Sequence, residues 1–307
     1  MGKDYVLFIH GVNVRERNYA DQLFDLIQKV APNLNLRKVA LYWGDVNADS
    51  LQELTSALQA SSVWSKLWFQ DFRKKQLLQF AGDAALYISR HVGSLAVTQM
   101  REQALKGLQD YQPGQDRLHL VTHSWGTVIL FDVLFANRWT EREVPLEGRE
   151  SVQAVRARVL GLDPNPADGL RLASIHTMGS PISLFSLITI TGKNNQGGST
   201  HDIIPGLGDL LEKLYPQGAE LPWQNFIHPG DPVAWPLEKV VPILMGDKYV
   251  NVKDILTQGS GPLELLAKPI QQTFLALVNG GSAHGSYWQN KEVAQKIGKT
   301  ILAVANK

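Results

Sequence analysis

The chain has 307 residues, of which 44% are hydrophobic and 19% charged, with a formal net charge of +1. That length suits one large domain, or one domain with an insertion. With no long basic run the chain has no electrostatic footprint for nucleic acid, and without cysteine it can form neither disulfides nor thiolate metal sites. Tyr5-Val6-Leu7-Phe8-Ile9 is too short for a signal-peptide core, and no 18-residue apolar stretch occurs, so no membrane span and a cytoplasmic location are expected.

In chain order, residues 5–10 read as a buried strand closed by His10-Gly11. Leu23, Leu26, Ile27 and Val30 then recur at helical spacing within 18–30, ahead of Pro32. Residues 36–43 form a second strand. The opening is therefore β-α-β, which predicts a mostly parallel sheet with helices on both faces. Residues 45–110 read as a mainly helical insertion or lid within a single domain spanning 1–307. Strands follow at 117–122, 172–178, 223–228 and 248–253. Helices are expected at 125–137 and 288–305, a polar stretch at 138–170 and a loop at 190–202.

The seam at residues 118–135 carries the chemistry. An apolar strand ends at Thr122-His123-Ser124-Trp125-Gly126 and an apolar helix starts at once. A serine at such a strand-turn-helix is a nucleophile elbow. Its hydroxyl stands clear of the chain, where a base can take the proton that makes it reactive. The helix start places the Trp125 N–H and the helix dipole beside a developing oxyanion. Gly126 meets the need for a small residue two after the serine; Thr122 stands where the usual pattern has glycine. A second oxyanion donor is expected from the loop after the first strand, with the Val12 N–H favoured over that of Asn13.

Eight histidines compete for the role of base. His10 and His123 adjoin motif residues and are poorly placed; His119 and His176 lie in strands; His91 lies in the insertion. Of His201, His228 and His284, the last stands out, in Gly280-Gly281-Ser282-Ala283-His284-Gly285 just before the final helix. Two aspartates compete for the role of acid, and both satisfy the chain order Ser, Asp, His. Asp231 directly follows a strand and is preferred; Asp163, in Gly161-Leu162-Asp163-Pro164, is the alternative.

Five blocks carry a resemblance: Phe8-Ile9-His10-Gly11, Val121-Thr122-His123-Ser124-Trp125-Gly126, Thr177-Met178-Gly179-Ser180-Pro181, Gly230-Asp231-Pro232-Val233 and His284-Gly285-Ser286-Tyr287-Trp288. Together they resemble the α/β-hydrolases, and within them the lipase/esterase group. The resemblance implies an α/β-hydrolase fold and a Ser-Asp-His triad in which the aspartate follows the strand after Gly-Ser-Pro, as Asp231 does. The Gly-Leu-Asp-Pro at 161–164 resembles the place where pancreatic-type lipases put their acid.

Other chemistries lack their motifs. Gly206-Leu207-Gly208 has no third glycine for a dinucleotide loop, Gly192-Lys193 has no glycine at phosphate-loop spacing, and no His-Glu-x-x-His occurs. The expectation is a serine hydrolase of carboxylic esters that needs neither cofactor nor metal and takes a small-molecule ester with an apolar acyl part. The other reading is a non-catalytic binding or scaffold protein on the same fold. Trp64, Leu67, Trp68 and Phe72 share a helical face in 61–80, which reads as packed core, as a lid, or as a peripheral contact with lipid. Oligomeric state has no signal in the sequence.

Overall fold

The computed structural model describes residues 2–12, 14–46, 48–67, 69, 70, 74, 87, 90–160, 169–184, 203–214, 220–245, 249–257 and 283–306. The elements in order are β1 (Asp4–Ile9), α1 (Asp21–Val30), β2 (Leu36–Leu41), α2 (Ala48–Ala60), α3 (Arg90–Gly107), β3 (Arg117–His123), α4 (Trp125–Phe135), α5 (Leu146–Leu160), β4 (Arg171–Met178), α6 (Ile204–Leu214), β5 (Leu221–Ile227), α7 (Val240–Met245), β6 (Val250–Leu256) and α8 (Lys291–Ala305).

Six strands form one sheet in the order β2-β1-β3-β4-β5-β6, and every described pairing is parallel. The pleat sorts β1 between two cores. Tyr5, Leu7 and Ile9 face the layer that holds Val97, Met100 and Ala104 of α3, Ile129 of α4 and Val152, Val155 and Val159 of α5. Val6 and Phe8 face the other layer, with Leu23 and Ile27 of α1 and Val293, Ile297 and Ile301 of α8. Burying each such aliphatic side chain contributes about 1.5–3 kcal/mol. A sheet buried on both faces reads as continuous apolar strands, and the expected α/β class with helices on both faces is what the chain adopts.

α5 and α6 lie where the sequence reading expects no helix. α5 lies within the polar stretch 138–170; beside Gly148 and Ser151, the buried aliphatic side chains among its described residues are Val152, Val155 and Val159. The final helix begins at Lys291, not at residue 288: Asn290 caps it by accepting the N–H groups of Glu292 and Val293, and Ser286–Gln289 form a 3₁₀ turn ahead of it. In the 45–110 stretch, α3 covers the sheet as part of the core, whereas Leu54 and Leu58 of α2 are exposed. Trp64 and Leu67 are half-buried; Trp68 and Phe72 lie outside the described residues, as does the loop read at 190–202. Among the described residues no helix is long and apolar enough to cross a membrane.

One buried polar row crosses the sheet on its α8 side. Asp4 Oδ1 accepts from Arg117 Nε at 2.6 Å and lies 3.1 Å from His119 Nε2. His119 Nδ1 lies 2.7 Å from Ser174 Oγ, which lies 2.8 Å from His176 Nε2. These side chains explain why strands with inward polar residues stay paired: each polar group meets another.

The order of the sheet also locates a site. From β1 the chain goes to β2 on one side and later returns to β3 on the other. Loops leaving the carboxyl ends of β1 and β3 diverge there and leave a crevice, the usual ligand position in open parallel sheets.

Candidate active site

Ser124 stands at that crevice, between the last residue of β3 and the first of α4. Its backbone is left-handed, with φ 54° and ψ −133°. For a residue with a Cβ such a conformation costs about 1–3 kcal/mol and persists only where neighbours enforce it. Two glycines let them do so. A Cβ on Gly126 would collide with the carbonyl oxygen of His10, and a Cβ on Gly11 would stand 2.5 Å from Ser124 Cβ and 2.9 Å from its Oγ. The loop after β1 therefore lies directly against the serine. Thr122 is accommodated because its hydroxyl meets that of Thr127 at 2.8 Å across the turn.

His284 reaches the serine from a helical turn just ahead of the 3₁₀ segment. Its Nδ1 lies 2.9 Å from both carboxylate oxygens of Asp231. A carboxylate only accepts, so Nδ1 carries the proton and Nε2 is left as an acceptor. Ser124 Oγ lies 2.7 Å from that Nε2, and the serine hydroxyl donates to it.

Asp231 is buried at 5% exposure on the loop after β5. Burial alone would raise its pKa. The hydrogen bond and charge of His284, the N–H of Val233 (2.9 Å to Oδ1) and the hydroxyl of Tyr287 (2.8 Å to Oδ2) outweigh it and hold the carboxyl below its ordinary range. Tyr287 in turn accepts the His228 N–H at 2.8 Å. The loop is clamped from two sides: the Trp235 N–H donates to the Ser180 carbonyl just after β4 at 3.1 Å, and Asp254 of β6 accepts from Leu237 and Glu238.

On the other side of the serine, His10 stacks on Trp43 with ring centroids 5.5 Å apart and planes 2° apart. Its Nδ1–H donates to the Gly11 carbonyl at 2.6 Å, and its Nε2 accepts the Trp43 N–H at 3.2 Å. Gly11 C=O and Val12 N–H belong to one planar peptide, so this bond also sets the direction of the Val12 N–H. Trp125 supplies the first amide of α4, beside Ser124.

The structure thus brings Ser124, His284 and Asp231 into one hydrogen-bonded line, with Trp125 next to the serine in the chain and Gly11, the neighbour of Val12, packed against it. Asp163 and Asn13 lie outside the described residues. Sequence reasoning missed Tyr287, Asp254 and the contacts of His10 and His123. For Tyr287 the only available signal is that it lies three residues from His284. Among the described residues no group of three or more His, Asp or Glu side chains is gathered to hold a metal ion.

No known family model matches the chain, and no curated protein sequence does. Among solved structures it is similar to a dienelactone hydrolase from Anabaena variabilis ATCC 29413, at 10% identity and a TM-score of 0.37 over 98% of this chain and 87% of that one. It is also similar to an acetyl xylan esterase in an iodinated complex, at 10% identity and a TM-score of 0.33 over 99% of this chain and 98% of that one. The chain's own layout, a parallel sheet covered on both faces with a left-handed serine at the strand-turn-helix of its crevice and the post-β5 and pre-α8 segments gathered over it, is that of an α/β-hydrolase fold.

Proposed function

We propose that the protein is a serine hydrolase of carboxylic esters, with Ser124 as nucleophile, His284 as general base and acid, and Asp231 as the carboxylate that orients it. The observation that carries this reading is the 2.7 Å approach of Ser124 Oγ to His284 Nε2, with Asp231 behind the imidazole. A serine is a weak nucleophile without such a partner.

In the reaction, Ser124 Oγ attacks the ester carbonyl carbon while its proton passes to His284 Nε2. The N–H groups of Val12 and Trp125 hold the oxyanion of the tetrahedral intermediate. As the intermediate collapses, the C–O bond to the alcohol breaks and His284 gives the alcohol its proton. Water then attacks the acyl-serine, losing a proton to His284. The second intermediate breaks the C–O bond to Ser124, whose Oγ takes the proton back from His284, and releases the carboxylic acid. Asp231 remains a carboxylate throughout, stabilising the imidazolium. Each oxyanion donor in such a site contributes about a hundredfold or more in rate.

A non-catalytic scaffold would have no use for a left-handed serine or for a proton chain aimed at it. A fluorophosphonate probe decides: stoichiometric labelling of Ser124, lost in Ser124→Ala and in His284→Ala, supports the hydrolase. A folded wild type that stays unlabelled overturns it. An ester series of increasing acyl length then tests the proposed apolar acyl part.

A further inference from the structure

His123 immediately precedes the serine, yet it enters none of the steps above. Its side chain is buried at 4% exposure. Its Nε2 lies 2.6 Å from the backbone carbonyl of His284, and since a carbonyl accepts, Nε2 carries the proton. The other nitrogen, Nδ1, is buried and meets no hydrogen-bond partner. An orphaned buried polar atom costs free energy, so this ring is a poor filler; phenylalanine would occupy the place without the penalty. What histidine adds is the Nε2–H.

The ring also braces the base. Its centroid lies 4.6 Å from that of His284, 5.8 Å from that of Tyr287 and 5.5 Å from that of Trp288. Two hydrogen bonds therefore close a small circuit: Ser124 holds the His284 imidazole, and His123, one peptide away, holds the His284 main chain. Burial first, and then the charge on His284, drive the His123 pKa down to about 3. The ring stays neutral when its neighbour becomes an imidazolium, and no like-charge repulsion opposes proton transfer.

We propose that His123 is a positioning residue for the base, fixing through its Nε2–H where the His284 imidazole stands relative to Ser124. This rests on the roles given above to Ser124 and His284.

The test compares His123→Phe, which keeps a ring but loses the donor, with His123→Gln, whose amide places an N–H near the position of Nε2. The full chain is used, with folding checked by circular dichroism and melting. Two readouts are taken: the low-field proton resonance of His284 Nδ1–H, and kcat and KM on an ester. The expectation for His123→Phe is a resonance broadened or lost and kcat lower by roughly 10- to 100-fold, with KM within about twofold, as for a small misplacement of a reacting group. His123→Gln should restore both to within about threefold of wild type. An unchanged resonance and kcat in His123→Phe overturn the proposal, as does a His123→Gln that fails as badly as His123→Phe. Should His123→Phe not fold, His123→Asn, too short to reach the carbonyl, takes its place with the same outcomes. A wild type that shows the resonance but resists the fluorophosphonate overturns the hydrolase reading, while the resonance in the variants still decides the role of His123.

Discussion

Tyr287 gives its hydroxyl proton to Asp231 Oδ2 and takes the His228 N–H on the same oxygen. One side chain thus joins the start of the acid's loop to the acid itself, from a position three residues after the base.

Removing that oxygen should be felt twice. Tyr287→Phe leaves a buried backbone N–H at His228 without its partner, which costs about 1–3 kcal/mol of stability. It also strips Asp231 of one of the donors that keep it ionised, so kcat should fall by roughly tenfold. Urea melts and steady-state kinetics on the same preparation check both. A variant as stable and as fast as wild type would remove Tyr287 from the site's support.

Gly126 is where the elbow has no room. In Gly126→Ala the new methyl meets the His10 carbonyl oxygen, which is backbone and cannot swing aside. Overpacking of this kind costs about 1–3 kcal/mol. The forced shift separates α4 from the end of β1, and with it the Trp125 N–H from the Val12 N–H. Loss of one donor's alignment predicts a drop of about a hundredfold in kcat. Chemical denaturation and ester turnover would show the two effects together.

The Ser124 backbone predicts an opposite sign. Ser124→Gly removes the nucleophile, so turnover should fall to background. It also puts at φ 54° the one residue that carries no Cβ penalty there. A gain of about 1 kcal/mol in unfolding free energy over Ser124→Ala is expected, measured by denaturant midpoints at matched slopes. Equal midpoints for the two variants would mean that the turn is not strained.

Acid should weaken the fold before it reaches the carboxylates. Burial lowers the pKa of His10 to about 4 and of His123 and His176 to about 3, and it lowers that of His119 as well. Unfolded, these side chains begin to take up protons near the ordinary histidine value of 6.5, while the folded chain refuses them. The unfolded state binds more protons in that window, so stability is full above about pH 6.5 and is lost as pH falls toward about 4 and then 3. Each group contributes a slope of up to about 1.4 kcal/mol per pH unit. Asp4 and Asp231, both held below the ordinary value of 3.8, extend the loss further into acid. Urea midpoints measured from about pH 8 down to about pH 4 should therefore decline below about pH 6.5; a flat profile would contradict the buried, neutral histidines.

Much of this was legible before any coordinate. The apolar runs on either side of Ser124 specify strand and helix by their length and burial, and the elbow follows from their junction. The segments of β1, β2, β4 and β5 were read as strands as well: β1 is apolar at nearly every position, and short apolar clusters mark β2, β4 and β5 despite the polar residues among them. α5 was not legible: its inward positions mix Gly148 and Ser151 with Val152, Val155 and Val159, and charged residues between them dilute the period. α6 carries Gly206 and Gly208 in its first turns, and glycine inside a helical pattern weakens its signal. The pairings were harder still. Tyr287 and Asp231 lie 56 residues apart, and His123 and His284 161 apart. A hydrogen bond at such separation is a product of how the strands are ordered, and no local pattern encodes it.

The left-handed serine leaves this protein with a standing conflict. At position 124 the residue best suited to the backbone is one that cannot carry the reaction, so conformational ease and chemical competence pull apart at a single codon. A lineage that gave up the reaction would be free to drift to glycine there, and an intact fold would then be a poor guide to which of its members still works.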